Sequence, residues 1–145
     1  MEAKELMVGD LVLDIDNCPV KIRQILKYRV LVGNSRRQYE NPIPLAVNFV
    51  NIKPIPLAEE ILEKNGFVRQ EEERGFSEPY ILYINDDYGY PIKIYPKFYM
   101  DKAHHLYIGY DDEGTYLSLY INYFHELQHA LRLVGLNEVA DNLKV

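Results

Sequence analysis

The chain has 145 residues and a net charge of −6, with 48% hydrophobic and 26% charged side chains, an ordinary globular balance. That length suits one domain or two very small ones and suffices for a real core. No stretch reaches the roughly 20 apolar residues of a membrane helix, and Met1-Glu2-Ala3-Lys4-Glu5-Leu6 leads into no signal-like apolar run, so a cytoplasmic protein with no membrane partner is expected.

Charge is uneven along the chain. Through Pro56 there are eight cations and six anions, or +2; the remainder holds eight and sixteen, or −8. The contrast predicts two sub-structures and makes the first the place to look for nucleic-acid contact. A lone cysteine, Cys18, excludes an internal disulfide and a cysteine-based zinc site.

The amino-terminal part reads as short strands: Leu11 to Leu13 after the Gly9-Asp10 turn, Val20 to Ile25, Arg29 to Val32, and Ala46 to Ile52. Several short strands in about fifty residues fit a small SH3-like β-barrel over residues 1–53, a form that removes open edges by closing on itself. Lys21 and Arg23 share the polar face of their strand, and Arg36-Arg37 falls in a loop. These four are the candidates for phosphate contact, although an ordinary outward strand face has the same pattern.

Pro54-Ile55-Pro56 predicts an extended linker. A second, α+β part over residues 57–145 should follow, an antiparallel sheet packed with two helices. The first helix is predicted over residues 57–64, with Pro56 in its first turn and Asn65-Gly66 as its stop. Glu71-Glu72-Glu73-Arg74-Gly75 reads as a solvated loop. Antiparallel strands are expected within residues 80–119, joined by turns at Asp86-Asp87-Tyr88-Gly89 and Asp111-Asp112-Glu113-Gly114. Eleven of the thirteen tyrosines lie between Tyr80 and Tyr123. Rings of this kind suit a half-buried pleated face, and tyrosine is enriched at the cores of protein interfaces.

The last helix is predicted over residues 122–134, capped by Asn122 and ended by Gly135. Its apolar side is Tyr120, Tyr123, Phe124, Leu127, Ala130, Leu131 and Val134; His125, His129 and Arg132 point away from it, which suits either a solvated polar face or ligands turned toward a cleft. Here Tyr123-Phe124-His125-Glu126-Leu127-Gln128-His129 carries the pattern His-Glu-x-x-His. In zinc hydrolases of this pattern two imidazoles one turn apart bind the ion and the glutamate deprotonates its water. A third protein ligand is required. No histidine follows His129, Glu138 lies too near for a separate packed helix, and His104 or His105 remains upstream. Arg132, one turn beyond His129, opposes a bound cation electrostatically.

Glu5 to Val12, Ile52 to Phe67 with its Pro54-Ile55-Pro56-Leu57 helix start, and the helix from Tyr123 to Gly135 together resemble an uncharacterised family of small proteins from gut-bacterial genomes and their prophages. The similarity runs through nearly the whole chain. In that family the last helix often carries His-x-Leu-Gln-Asn, aligning with His125, Leu127, Gln128 and His129, so the resemblance implies a packing motif and no established activity. Two functions remain open. The favoured one is a non-enzymatic accessory or binding protein, without a cofactor and with a protein partner. The rival is a zinc-dependent hydrolase with Glu126 as base and His125, His129 and His104 or His105 as ligands. Weak nucleic-acid binding by the amino-terminal part stands as a further alternative.

Overall fold

The computed structural model describes residues 1–34, 44–71, 78–83, 91–96, 103–110 and 114–145. They form an α+β chain with two antiparallel sheets and three short α-helices. Two compact units result, one of residues 1–56 with 123–143 and one of residues 57–122. No helix among the described residues is long and apolar enough to cross a membrane.

In the first unit β1 (Leu11–Leu13), β2 (Pro19–Ile25), β3 (Arg29–Asn34) and β4 (Leu45–Asn48) pair in sequence order. Alternation puts Val12, Val20, Ile22, Val30, Val32 and Val47 inside, with Leu6 and Ile52, because successive strand side chains point to opposite faces. Asp14 builds the β1–β2 turn, its Oδ1 accepting from the amides of Asp16 (3.0 Å) and Cys18 (2.8 Å).

The strand expected over Ala46 to Ile52 stops at Asn48, and Phe49–Asn51 is a turn of 3₁₀ helix. The chain then meets β1 at one position, where Leu13 and Lys53 exchange two backbone bonds of 2.9 Å. Pro54 follows and has no N–H to continue the ladder. Among the described residues the sheet is therefore open, with β1 and β4 at its ends and no closed barrel.

The carboxyl-terminal helices belong to this same unit, not to residues 57–122 as the expected division at 53/57 had it. The reason lies in backbone pairing: Pro56 bridges Tyr123, and the Phe124 amide donates to Ile55 O at 2.9 Å. Helix α2 runs Phe124–Leu133 with Tyr123 as its N-cap in place of the expected Asn122. Glu126 Oε2 accepts the Tyr123 amide at 3.0 Å, one arm of a capping box. Gly135 (φ 83°) ends the helix, where Leu136 N donates back to Leu131 O at 2.9 Å, the geometry of a Schellman stop. A third helix, α3 (Asn137–Asn142), follows at once with Ala140 fully buried. Glu138 thus does sit on a separate packed helix, contrary to expectation.

The second unit holds α1 (Glu59–Lys64) and a meander of β5 (Val68–Arg69), β6 (Tyr80–Tyr83), β7 (Pro91–Tyr95), β8 (His104–Tyr110) and β9 (Gly114–Ile121). Helix α1 starts later than expected, since the Leu57 amide is bound to Asn122 O at 2.9 Å and Ala58 is still extended. Tyr80, Ile92, Ile94, His104, Leu106, Ile108 and Ile121 bury one sheet face. Two bonds join it to the α1 segment: Tyr80 OH donates to Glu59 (3.0 Å), and His104 Nε2 donates to Leu57 O (3.0 Å). The turns expected at 86–89 and 111–113, and most of the loop expected at 71–75, lie outside the described residues.

Candidate functional site

The histidine face of α2 is largely covered and borders a cavity. His125 is 5% exposed and Gln128 1%, because β1, the Gly9-Asp10 turn and α3 pack against the polar side of the helix. At the centre is Asp10, fully buried. Its Oδ2 accepts from the Met7 amide (2.7 Å) and from His129 Nε2 (2.8 Å); its Oδ1 accepts from Arg132 Nη1 (2.7 Å). Arg132 Nη2 continues to Asp141 of α3 at 3.0 Å. Gly9 makes room for this cation: its φ is +97°, and an added Cβ would meet Arg132 Nη2 at 2.9 Å.

Burial pushes the Asp10 carboxyl up, but the hydrogen bonds from His129, the Met7 amide and Arg132, with the charge of His129, outweigh it and hold the group below the usual carboxylate range. Burial likewise pushes the Arg132 guanidinium down, and its bonds to Asp10 and Asp141 raise it overall. A carboxylate only accepts, so His129 carries its proton on Nε2 and directs it at Asp10.

Gln128 completes the junction. Its Oε1 accepts the Leu11 amide at 3.0 Å, and its Nε2 donates to Ala140 O at 3.1 Å. One side chain therefore fixes α2 to β1 and to α3. The Leu127-Gln128 pair singled out by the family resemblance is buried at both positions. Neither Asp10 nor Gln128 is evident as a site residue from sequence; the one signal was the Gly9-Asp10 turn, because nothing local links it to a helix 118 residues away.

His125, Glu126 and His129 do reach one cavity of about 470 Å³, with Met1, Glu5, Pro54 and Tyr123 around it. The His125 ring stacks on Tyr123 (centroids 5.9 Å, 11°) and meets His129 edge-on (5.6 Å, 76°). Burial lowers its proton affinity beyond what the Asp10 and Glu126 carboxylates restore, so the imidazole is neutral at pH 7. Its Nδ1 is buried without a hydrogen-bond partner. Among the described residues no three His, Cys, Asp or Glu side chains are placed to hold a metal ion. The two upstream histidines belong to the other unit, His104 bonded to Leu57 O and His105 Nε2 at 2.9 Å from Ser118 Oγ.

The outward face of the second sheet is aromatic. Register aligns Tyr95, His105 and Tyr120 across β7, β8 and β9, with Lys93, Tyr107 and Ser118 in the neighbouring row. His105 lies between Tyr107 (4.1 Å, tilted) and Tyr120 (4.5 Å, stacked at 19°), and Tyr95 meets Tyr107 edge-on at 5.5 Å. Tyr120 and Tyr83 are 63% and 64% exposed.

Of the cationic candidates, Lys21 and Arg23 are on the outward side of β2, where the Arg23 side chain lies across Gly33 of β3. Arg36 and Arg37 lie outside the described residues. Compared with models of known families, with curated proteins and with solved structures, the chain finds no match in any of the three.

Proposed function

We propose that this chain is a non-enzymatic accessory protein of the cytoplasm that binds a protein partner, and that the His-Glu-x-x-His segment of α2 belongs to its scaffold. The outward aromatic face of the second sheet carries the proposal. Five rings, Tyr83, Tyr95, His105, Tyr107 and Tyr120, offer rigid area with polar edges, the chemistry enriched at interface cores. Between residues 57 and 122 there are thirteen acidic and six basic side chains, a balance that disfavours a polyanionic partner for this unit.

The state of the motif supports the same conclusion. A zinc hydrolase needs the Nε2 lone pair of His129 and a free Glu126 carboxylate. Here Nε2 donates to Asp10, and Glu126 accepts the N-cap amide. We also propose that the first sheet is SH3-like, supported by the return of the chain at Lys53 to meet β1 at Leu13 through one bridge.

The test is comparative. Wild-type and Tyr83→Ala/Tyr120→Ala chains are immobilised in parallel, and a protein retained by the first and lost from the second is purified and titrated back. Equal retention on both would refute the aromatic face. Elemental analysis after purification without added metal is expected to find no stoichiometric zinc; one zinc per chain, lost on His129→Ala, would replace the proposal with the hydrolase.

A further inference from the structure

From Asn17 to Tyr39 the sequence contains six basic residues and no acidic one, although acidic residues make up 22 of 145 overall; at that frequency a run of this length holds about three. Much of the run is the β2–β3 hairpin. Its inward positions, Val20, Ile22, Val30 and Val32, are in the core, so pleating forces Lys21, Arg23 and Arg29 outward. The hairpin turn, closed by Leu26 N donating to Arg29 O at 2.8 Å, adds Lys27 and Tyr28. Tyr28 is 71% exposed, and Lys27 Nζ is 4.9 Å from its ring centroid. None of the four described cations makes an ion pair among the described residues.

Like charges gathered on one sheet face repel, and a fold seeking only solubility intersperses both signs. Lys21, Arg23, Lys27 and Arg29 make no ion pair among the described residues, so their own contribution to the field at the hairpin is positive. An exposed ring flanked by cations is the arrangement that binds unpaired bases, whose π-faces a duplex hides.

We propose that the β2–β3 hairpin binds single-stranded nucleic acid, with Lys21, Arg23, Lys27 and Arg29 against phosphates and Tyr28 stacked on a base. This surface is independent of the aromatic face of the second unit. The chemistry is common to RNA and DNA, and the probes separate them.

Fluorescence anisotropy with labelled oligouridine and oligothymidine of about 20 nucleotides tests the assignment. Neutralising about four phosphates gives a log–log salt slope near −3, so affinity for at least one probe is expected to fall about 50-fold between about 50 and 200 mM salt. Tyr28→Ala should weaken binding about fivefold or more. Lys27→Gln/Arg29→Gln alters only exposed side chains at the turn, so its circular dichroism should match wild type while its slope falls to about half. Absence of binding to both oligonucleotides at low salt, an unchanged slope in the double variant, or tighter binding to phosphatidylserine vesicles or polyglutamate than to either oligonucleotide would overturn the proposal.

Discussion

Replacing Asp10 by Asn keeps the shape of the side chain and removes its charge. In the wild type the carboxylate is fully buried and accepts three hydrogen bonds of 2.7–2.8 Å. An amide offers one acceptor oxygen and turns two N–H donors into a space already filled by donors. Arg132, 14% exposed at its side chain, would lose its buried counter-charge. Breaking one partner of such a pair costs about 3–5 kcal/mol; because Arg132 keeps Asp141 and some water, the lower end, about 3 kcal/mol, is expected at pH 7. Asp10 titrates below the usual range when folded and near 3.9 when unfolded. Its contribution is therefore present above about pH 4 and is lost as pH falls through the folded value. Urea unfolding followed by circular dichroism should place the variant well below wild type at pH 7, and the gap should narrow steadily in acid below pH 4. A double-mutant cycle with Arg132→Met should return a coupling of about 2 kcal/mol. A variant within about 1 kcal/mol of wild type at pH 7, or a gap independent of pH, would refute the role assigned to Asp10.

Gln128→Met is expected to cost about 2–4 kcal/mol, because it strands the Leu11 amide and the Ala140 carbonyl inside the unit; chemical denaturation measures it, and a neutral outcome would mean the helix is held by apolar packing alone. His125→Phe is expected to be tolerated to within about 1 kcal/mol, since the Nδ1 it removes has no partner. The folded imidazole binds its proton less readily than the unfolded one, so wild-type stability falls as pH drops below about 6.5 toward the folded value, and the Phe variant should lack that part of the decline. Parallel pH curves for the two proteins would count against a buried neutral His125.

Where the sequence was legible, the determinant was local. The valine alternation of β2 and β3, the glycine after α2 and the leucine spacing within it each act over a few residues, and the elements formed where those patterns said they would. The failures came from partners distant in the chain. Periodicity gave α2 a polar face because His125, His129 and Arg132 are polar, yet polarity at a helix position is equally the mark of a buried network. Deciding between these needs the acceptor, and Asp10 is 119 residues from His129. Helix α3 escaped for a related reason: six residues cannot sustain a helix alone, and this one is held through Ala140 and the Gln128 and Asp141 bonds.

A His-Glu-x-x-His spacing suits packing and capping as well as metal binding. Positions i and i+4 on one face are the natural spacing for any two side chains directed at one neighbouring element, whether that element is an ion or a turn. In this chain the first imidazole packs flat on Tyr123 and the second donates to Asp10, while the intervening glutamate is at N3, where a carboxylate caps the helix. Each of the three motif residues thus has a structural contact in this chain: a ring stack for His125, a helix cap for Glu126 and a hydrogen bond to Asp10 for His129. Arg132 one turn later is the decisive companion. A guanidinium beside a bound cation is repelled, whereas beside Asp10 it forms a hydrogen-bonded ion pair of 2.7 Å.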